Sequence, residues 1–144
     1  MYTIVKDIQL SKNFKLSEFT CHDGSGKVLY VPALIDKLQK LRGLLGKPIR
    51  IVSAYRTPEY NAKCGGAPKS QHMEGTAADI KVSGISPLDV AKAAETVGFT
   101  GIGVYTHSGN SFVHCDVRPS KSYWMDLPGH QLKSIKSLSE IKKG

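Results

Sequence analysis

The segment Ser70-Gln71-His72-Met73-Glu74-Gly75-Thr76-Ala77-Ala78-Asp79-Ile80 decides how the rest of the chain is interpreted. Its glycine and threonine, followed by β-branched residues, favour a loop and a strand over one continuous helix. We therefore predict a loop that carries His72, followed by a strand from about Thr76 to Val82 with Asp79 on one face. Imidazole nitrogen and carboxylate oxygen both bind Zn²⁺, and a hydrolytic zinc site needs three protein ligands and one open position. We expect the third ligand to be another histidine.

The segment Phe112-Val113-His114-Cys115-Asp116-Val117-Arg118 supplies a candidate for that third ligand. Side chains alternate between the two faces of a strand, so His114, Asp116 and Arg118 share one face and the apolar residues share the other. In the first predicted strand, Asp79 likewise lies opposite an apolar face. Two strands of this kind can line one cleft. The alternative is that Asp79 and His114 are ordinary polar residues on half-exposed strands.

Four ordered segments resemble the M15 zinc peptidases, a family of D-alanyl-D-alanine carboxypeptidases and other cell-wall enzymes. SQHMEGTAADI resembles the family's S-x-H-x-x-G-x-A-x-D signature, and FVHCDVR resembles its F-V-H-x-D-x-R segment. IVSAYRTPEYN resembles the strand and turn ending in S-x-Y-R-x-x-x-x-N, and LSEFTCHDGSG resembles a segment of the branch that contains bacterial wall hydrolases and phage endolysins of the L-alanyl-D-glutamate peptidase type. The resemblance runs from about Leu16 to Arg118. It implies a Zn²⁺ cofactor bound by His72, Asp79 and His114.

The same resemblance implies an α+β fold, in which helices flank a small antiparallel sheet and the zinc site lies in a cleft on that sheet. Such a fold is similar to that of the hedgehog and D-Ala-D-Ala peptidase proteins. We expect residues 1–128 to form the catalytic domain. Residues 129–144 are expected to be a basic C-terminal tail, a weak helix or the start of a linker, because residues 130–144 carry four lysines and one glutamate.

The apolar pattern predicts two helices and several strands around the two zinc segments. A leucine-rich helix is expected from Pro32 to near Gly46, and a second helix from the N-cap Ser86 to Gly98. Further predicted elements are an edge strand at Tyr2–Val5, a short helix at Leu16–Phe19, a strand over 49–56, a loop over 61–70, a strand over 101–105 and a hairpin connection over 106–111. Phe14 and Phe19 are predicted to be buried.

Composition limits the classes of protein that this chain can represent. Its 144 residues, 40% hydrophobic and 22% charged, fit one globular domain. No apolar run approaches the roughly 20 residues of a membrane span, and the first residues lack the pattern of a secretion signal. Three cysteines, Cys21, Cys64 and Cys115, cannot all pair within the chain and are expected to be free thiols. We expect a monomer that is made in the cytoplasm; the alternative is that a secretion signal has been removed from the sequence.

The net charge of +8 indicates attraction to a polyanion. No recognition helix or aromatic and basic platform is apparent, so nucleic acid is not the expected partner. An anionic bacterial wall satisfies the same electrostatics. The charge alone does not decide between these partners, and the zinc-like motifs favour bacterial peptidoglycan.

Arg56 and Asp116 are the predicted catalytic residues. Arg56 emerges at the end of a predicted strand, where its guanidinium can bind a substrate carboxylate or carbonyl and stabilise a tetrahedral oxyanion. Asp116 shares a strand face with His114, and can act either as the general base or as a partner that orients His114. Ser70 is expected to hydrogen-bond the substrate or to brace the loop that carries His72.

The general base is the point at which this sequence departs from the family's pattern. Several M15 members have a glutamate or an aspartate three positions before the third zinc ligand, where this chain has Ser111. Glu74 and His107 are the alternatives to Asp116 in this role. The departure also leaves open a non-catalytic zinc-containing module, which would bind the cell wall or serve in a phage structure.

The resemblance implies that the substrates are stem peptides or crosslinks of peptidoglycan. We expect an endolysin-type endopeptidase of a phage or prophage, which would reach the wall through a hole made by a holin. A D,D-carboxypeptidase is the alternative among enzymes.

Overall fold

The computed structural model describes residues 7–107 and 109–142, which form an α+β fold. Within these residues, three 3₁₀ helices lie at Leu16–Phe19, Gln71–Glu74 and Leu138–Glu140. The other elements are, in chain order, β1 (Gln9–Ser11), β2 (Phe14–Lys15), α1 (Pro32–Leu45), β3 (Arg50–Ser53), α2 (Pro58–Lys63), β4 (Ala77–Lys81), α3 (Pro87–Val97), β5 (Gly101–Tyr105), β6 (Phe112–Asp116), β7 (Ser122–Leu127) and β8 (Gln131–Ile135).

Both long helices confirm the predictions from the sequence. Proline occupies the first position of α1 and of α3, where its missing N–H costs no hydrogen bond. The Ser86 hydroxyl accepts a hydrogen bond from the backbone N–H of Asp89 and caps α3. Gly46 and Gly98 end the two helices in the left-handed conformation, at φ 66° and 100°. The boundaries therefore follow from local sequence.

The main sheet has six strands in the order β3-β4-β6-β5-β7-β8. All neighbouring pairs are antiparallel except β5 and β7, which run parallel. The prediction of an antiparallel sheet is therefore wrong for this pair. The strands β4 and β5 already occupy both sides of β6, so the chain leaving β6 passes the end of β5 and adds β7 on its far side.

One face of the sheet is covered by the helices and the other carries the polar residues of interest. Ile80, Ile102 and Val113 point into a single core that also contains buried residues of α1 and α3. The opposite face carries Asp79 and His114, as the alternation of side chains predicts. Phe14 and Phe19 are buried as predicted, with their rings in edge-to-face contact at 6.1 Å.

Three predictions before β4 need correction. The predicted loop over 61–70 begins inside the short helix α2, whose N-cap Thr57 accepts a hydrogen bond from the N–H of Tyr60. His72 lies in the 3₁₀ helix Gln71–Glu74 and not in a loop. The strand predicted over 49–56 is shorter, at Arg50–Ser53. The predicted edge strand Tyr2–Val5 lies outside the described residues.

Residues beyond 128, predicted to be a tail, a weak helix or the start of a linker, include a strand of the main sheet. Residues 131–135 form β8, which pairs with β7 along the register from Tyr123↔Ile135 to Leu127↔Gln131. Ile135 and Leu138 are buried in the core. Most side chains of β8 are exposed, so the sequence shows little of the alternation that identifies a half-buried strand. No helix in the described part of the chain combines the length and hydrophobicity needed to cross a bilayer.

Candidate metal centre

The three predicted metal ligands meet on the polar face of the sheet. Asp79 on β4 and His114 on β6 are directly opposite each other in the antiparallel register, and His72 approaches from the 3₁₀ helix. The Oδ1 atom of Asp79 is 3.2 Å from His72 Nε2 and 3.1 Å from His114 Nδ1. One donor atom of each residue lies within 4.8 Å of the others, and all three residues are buried. This arrangement converges on one point, as a metal site requires.

Local hydrogen bonds fix the position and the tautomer of His72. The Ser70 hydroxyl accepts a hydrogen bond from the His72 N–H at 3.2 Å, and Gly75 ends the short helix at φ 72°. A Cβ at position 75 would lie 2.6 Å from the carbonyl oxygen of Leu29, so this turn needs glycine. The ring Nδ1–H of His72 donates to the Ala54 carbonyl at 2.6 Å. Its Nε2 therefore faces the site, 3.2 Å from Asp79 Oδ1.

His114 is oriented in the same way by a carboxylate. Its Nε2–H donates to Asp116 Oδ2 at 2.7 Å, so Nδ1 is the nitrogen directed at the cluster, 3.1 Å from Asp79 Oδ1, and it offers a lone pair once the ring is neutral. Arg118 in turn donates to Asp116 through Nε at 2.8 Å and Nη2 at 2.6 Å. A ligating histidine whose second nitrogen is bound to a carboxylate is typical of zinc sites. Two imidazoles and one carboxylate fit Zn²⁺ and leave a fourth position open.

Charge interactions perturb the ionisable groups of the cluster. Burial raises the pKa of Asp79, but His72 and His114 outweigh it and hold that pKa below its usual value. Burial lowers the pKa of His114, yet the hydrogen bonds to Asp116 and Asp79 raise it to about 9. Burial likewise raises the pKa of Asp116, but the hydrogen bonds from Arg118 and His114 outweigh burial and hold that pKa below its usual value. In the metal-free protein, His114 is therefore protonated at neutral pH.

Zinc binding to the metal-free protein is expected to release at least one proton at pH 7.5, because only neutral His114 offers its Nδ1 lone pair. Since the pKa of His114 is about 9, the apparent zinc affinity should rise roughly tenfold per pH unit up to that value. Isothermal titration calorimetry in buffers of different ionisation enthalpy measures the proton count. A binding enthalpy that does not depend on the buffer would contradict this expectation.

The cluster opens into a cleft of about 620 Å³. Both predicted substrate-binding residues, Arg56 and Ser70, line it. The Arg56 guanidinium lies 3.4 Å from Asp79 Oδ2 and also donates to Ser53 and Asn61. The full lining consists of Arg56, Cys64, Gly65, Gly66, Ala67, Lys69, Ser70, Gln71, His72, Asp79, Tyr105, Phe112, His114, Arg118, Ser122, Trp124, Asp126, His130 and Leu132.

Sequence reasoning missed the part of the site that surrounds His114. Two glycines of β5 make room there: a Cβ on Gly101 would overlap the Asp116 carboxylate, and one on Gly103 would lie 2.5 Å from the Trp124 indole. The Trp124 ring reaches over Gly103 to within 5.0 Å of the His114 ring, measured between centroids. Alternate glycines inside a strand often mark such close approaches, so the pattern Gly-Ile-Gly was an available signal.

The residues that line the cleft include neither alternative base, Glu74 or His107, nor Ser111, which occupies the position of the family's usual base. Ser111 borders a separate cavity of about 220 Å³, next to Val82 and Val113. Glu74 is exposed, and the His107 ring pairs with Asp126 at 3.1 Å. Asp116 is fully buried and lies beside Nε2 of His114, on the side of the ring away from Nδ1. This geometry suits the orienting role better than the base role.

The sequence matches the M15 peptidase family over residues 12–116, a range that includes all three residues of the cluster. The chain belongs to the M15 family of zinc peptidases. Within this family, it is 36% identical over 118 residues to the peptidoglycan L,D-endopeptidase MepK of Escherichia coli strain K12. That alignment covers 76% of this chain and 63% of the relative.

Two further relatives align with this chain over shorter stretches. The probable peptidoglycan L,D-endopeptidase MepK of Haemophilus influenzae is 29% identical over 100 residues, covering 64% of this chain and 53% of the relative. The zinc D-Ala-D-Ala carboxypeptidase of Streptomyces albus G is 40% identical over 67 residues, covering 46% and 26%. The chain thus spans less than two thirds of the length of the relatives that it matches.

Proposed function

We propose that this chain is a zinc-dependent endopeptidase that hydrolyses peptide bonds in bacterial peptidoglycan. The observation that carries the proposal is the buried cluster of His72, Asp79 and His114 at the base of an open cleft. Two relatives are named peptidoglycan L,D-endopeptidases, which supports a bond between an L- and a D-residue as the target. We also infer that this cleft is the zinc cleft of a hedgehog/D-Ala-D-Ala peptidase-like fold.

Zinc bound by the cluster would polarise the scissile carbonyl and lower the pKa of a water molecule to about 7. The protein's own residues then position the substrate. The Arg56 guanidinium lies beside Asp79 and lines the cleft, so it is placed to hold a substrate carbonyl or carboxylate oxygen. Ser70 can brace His72 through its cap and present its hydroxyl to the cleft. All these groups come from one chain, which supports action as a monomer.

A D,D-carboxypeptidase is the second candidate, because one relative carries that activity in its name. The two functions differ in the bond that is cut and in the product. An endopeptidase separates a stem peptide or a crosslink, whereas a carboxypeptidase removes only a terminal D-alanine. Mass spectrometry of muropeptides after digestion therefore distinguishes them.

The test of the proposed function is the digestion of purified peptidoglycan by three samples. These are zinc-loaded protein, the same protein after chelation, and the chelated protein after zinc has been restored. We expect peptide products in the first and third samples only. Protein that sediments with the wall but releases no product when loaded with zinc would instead favour the non-catalytic module, to which Ser111 points.

We further propose that the enzyme acts in lysis by a phage or prophage, released through a holin. The net charge of +8 supports attraction to the anionic wall. Expression in bacterial cytoplasm should then cause lysis only when the membrane is also permeabilised. If cells that contain active protein do not lyse after permeabilisation, the proposed role in phage lysis is contradicted.

Asp116→Asn is expected to weaken zinc binding about 10- to 100-fold, because it removes the charge that holds the Nε2–H of His114. If Asp116 orients His114, excess zinc should restore most of the turnover. If Asp116 is the general base, turnover will stay low although the site is full. Zinc content and kcat measured across a zinc titration separate these two roles.

A further inference from the structure

We propose that Tyr105 is a catalytic residue whose phenolic hydroxyl hydrogen-bonds the scissile carbonyl oxygen as that oxygen gains negative charge. The inference rests on the proposed peptidase function and adds a second oxyanion donor to Arg56. Tyr105 is the last residue of β5, and its side chain lines the same cleft as Arg56 and His114.

Two contacts fix the position of the Tyr105 phenol. The ring stacks on Phe112, which is its direct partner in the β5–β6 register, with centroids 4.3 Å apart and planes 10° apart. The indole Nε1–H of Trp124 donates a hydrogen bond to Tyr105 Oη at 2.8 Å. Because Oη is the acceptor in this bond, the phenol's own hydrogen remains available to another acceptor. A donor held from two sides is preorganised in the sense that oxyanion stabilisation requires.

The Trp124 indole connects this phenol to the metal cluster. One side of the indole is 5.0 Å from the His114 ring, between centroids, and its Nε1 contacts Tyr105. The glycine at position 103 makes room for this indole, because a Cβ there would lie 2.5 Å from it. Tyr105 and the three candidate metal ligands therefore line one cleft, where a bound peptide could contact both.

The phenol is protonated at the pH at which a peptidase works. Burial raises the pKa of Tyr105, and the negative charges of Asp79 and Asp126 add to this effect, while Trp124 and Arg56 oppose it. A raised pKa favours the neutral phenol, which is a donor. Tyr105 is thus suited to donate a hydrogen bond and unsuited to accept a proton as the general base.

The proposed role agrees with the chemistry of peptide hydrolysis. Water adds its hydroxyl to the carbonyl carbon and its second hydrogen finally reaches the leaving nitrogen, giving a carboxylic acid and an amine. In between, the carbonyl oxygen carries negative charge, which the phenol O–H stabilises without transferring its proton. The interaction strengthens as the charge develops, so it lowers the barrier more than it strengthens substrate binding.

The test is Tyr105→Phe, which removes Oη and keeps the ring that stacks on Phe112. We expect kcat to fall about 10²-fold, with KM and bound zinc little changed. A phosphinic peptide, which imitates the tetrahedral state, should bind more weakly by a similar factor. Binding of an uncleaved peptide to the metal-free protein should not change.

Tyr123→Phe is the matched control, because Tyr123 lies on β7 with its side chain in the core. It should keep wild-type kcat and phosphinate affinity. The inference is overturned if Tyr105→Phe keeps wild-type kcat and phosphinate affinity, or if these fall only in proportion to the loss of bound zinc or of folded protein. In that case, hydrolysis by the wild type would still support the proposed function. Wild-type protein that cleaves no wall peptide would overturn the proposed function, and the inference with it.

Discussion

Replacement of His114 by alanine is expected to remove zinc and peptidoglycan hydrolysis together. The imidazole supplies one of only three protein donors in the cluster, and its neighbour on β4, Asp79, would lose a partner at 3.1 Å. The loss of zinc affinity should exceed about 10³-fold, which is more than the 10- to 100-fold typical of a partner outside the ligand set. Metal analysis of the dialysed protein and the rate of muropeptide release measure the two effects.

His22→Ala is the control for this variant, because His22 is exposed and lies outside the cluster. It should retain zinc and activity. Should His114→Ala hold zinc as tightly as the wild type, the metal site would have to use other donors. Should it lose zinc and still cut peptidoglycan, the chemistry would not depend on this centre.

Gly101→Ala is the second change for which we expect a large effect. A Cβ at this position would overlap the carboxylate of Asp116, which is fully buried and held by Arg118 and His114. The carboxylate cannot move aside without breaking those bonds, so the free energy of unfolding should fall by about 3 kcal/mol, the upper end of overpacking costs. Zinc affinity should fall as well, because His114 loses its orienting partner. Denaturant unfolding and zinc titration are the measurements.

Gly43→Ala provides the matched control. Gly43 lies in α1, and a Cβ there would meet no atom within 4 Å. This substitution should raise the free energy of unfolding by about 0.5–1 kcal/mol, since alanine is the better helix former. If Gly101→Ala proves as stable as Gly43→Ala and binds zinc normally, the contact between β5 and Asp116 does not hold His114 in place.

The residues of the candidate metal cluster and the two long helices could be predicted from the sequence because local patterns encode them. Strand alternation placed Asp79 and His114 on polar faces, and proline and glycine marked the ends of α1 and α3. Alternation cannot show which strands are neighbours. The direct pairing of β4 with β6, which brings the ligands together, was accessible only through the resemblance to a known family.

The predictions that failed concern elements with weak local signals. The helix α2 has six residues, too few for a periodic apolar pattern, and the glycines that follow it suggested a loop. The strand β8 lies at the edge of the sheet with mostly exposed side chains, so its residues resembled a tail. The contact between Trp124 and His114 was missed because it depends on the pairing of β7 with β5, which places Trp124 beside Gly103.

The spacing of the ligands also bears on how long the folded protein survives. His72, Asp79 and His114 are separated by 7 and 35 positions along the chain. An ion held by all three ties the 3₁₀ helix, β4 and β6 into one unit, as a covalent cross-link would. At free zinc 100-fold above the dissociation constant, this linkage adds about 2.7 kcal/mol to the free energy of unfolding. Chelation should therefore shorten the lifetime of the protein among proteases at the same time as it stops catalysis.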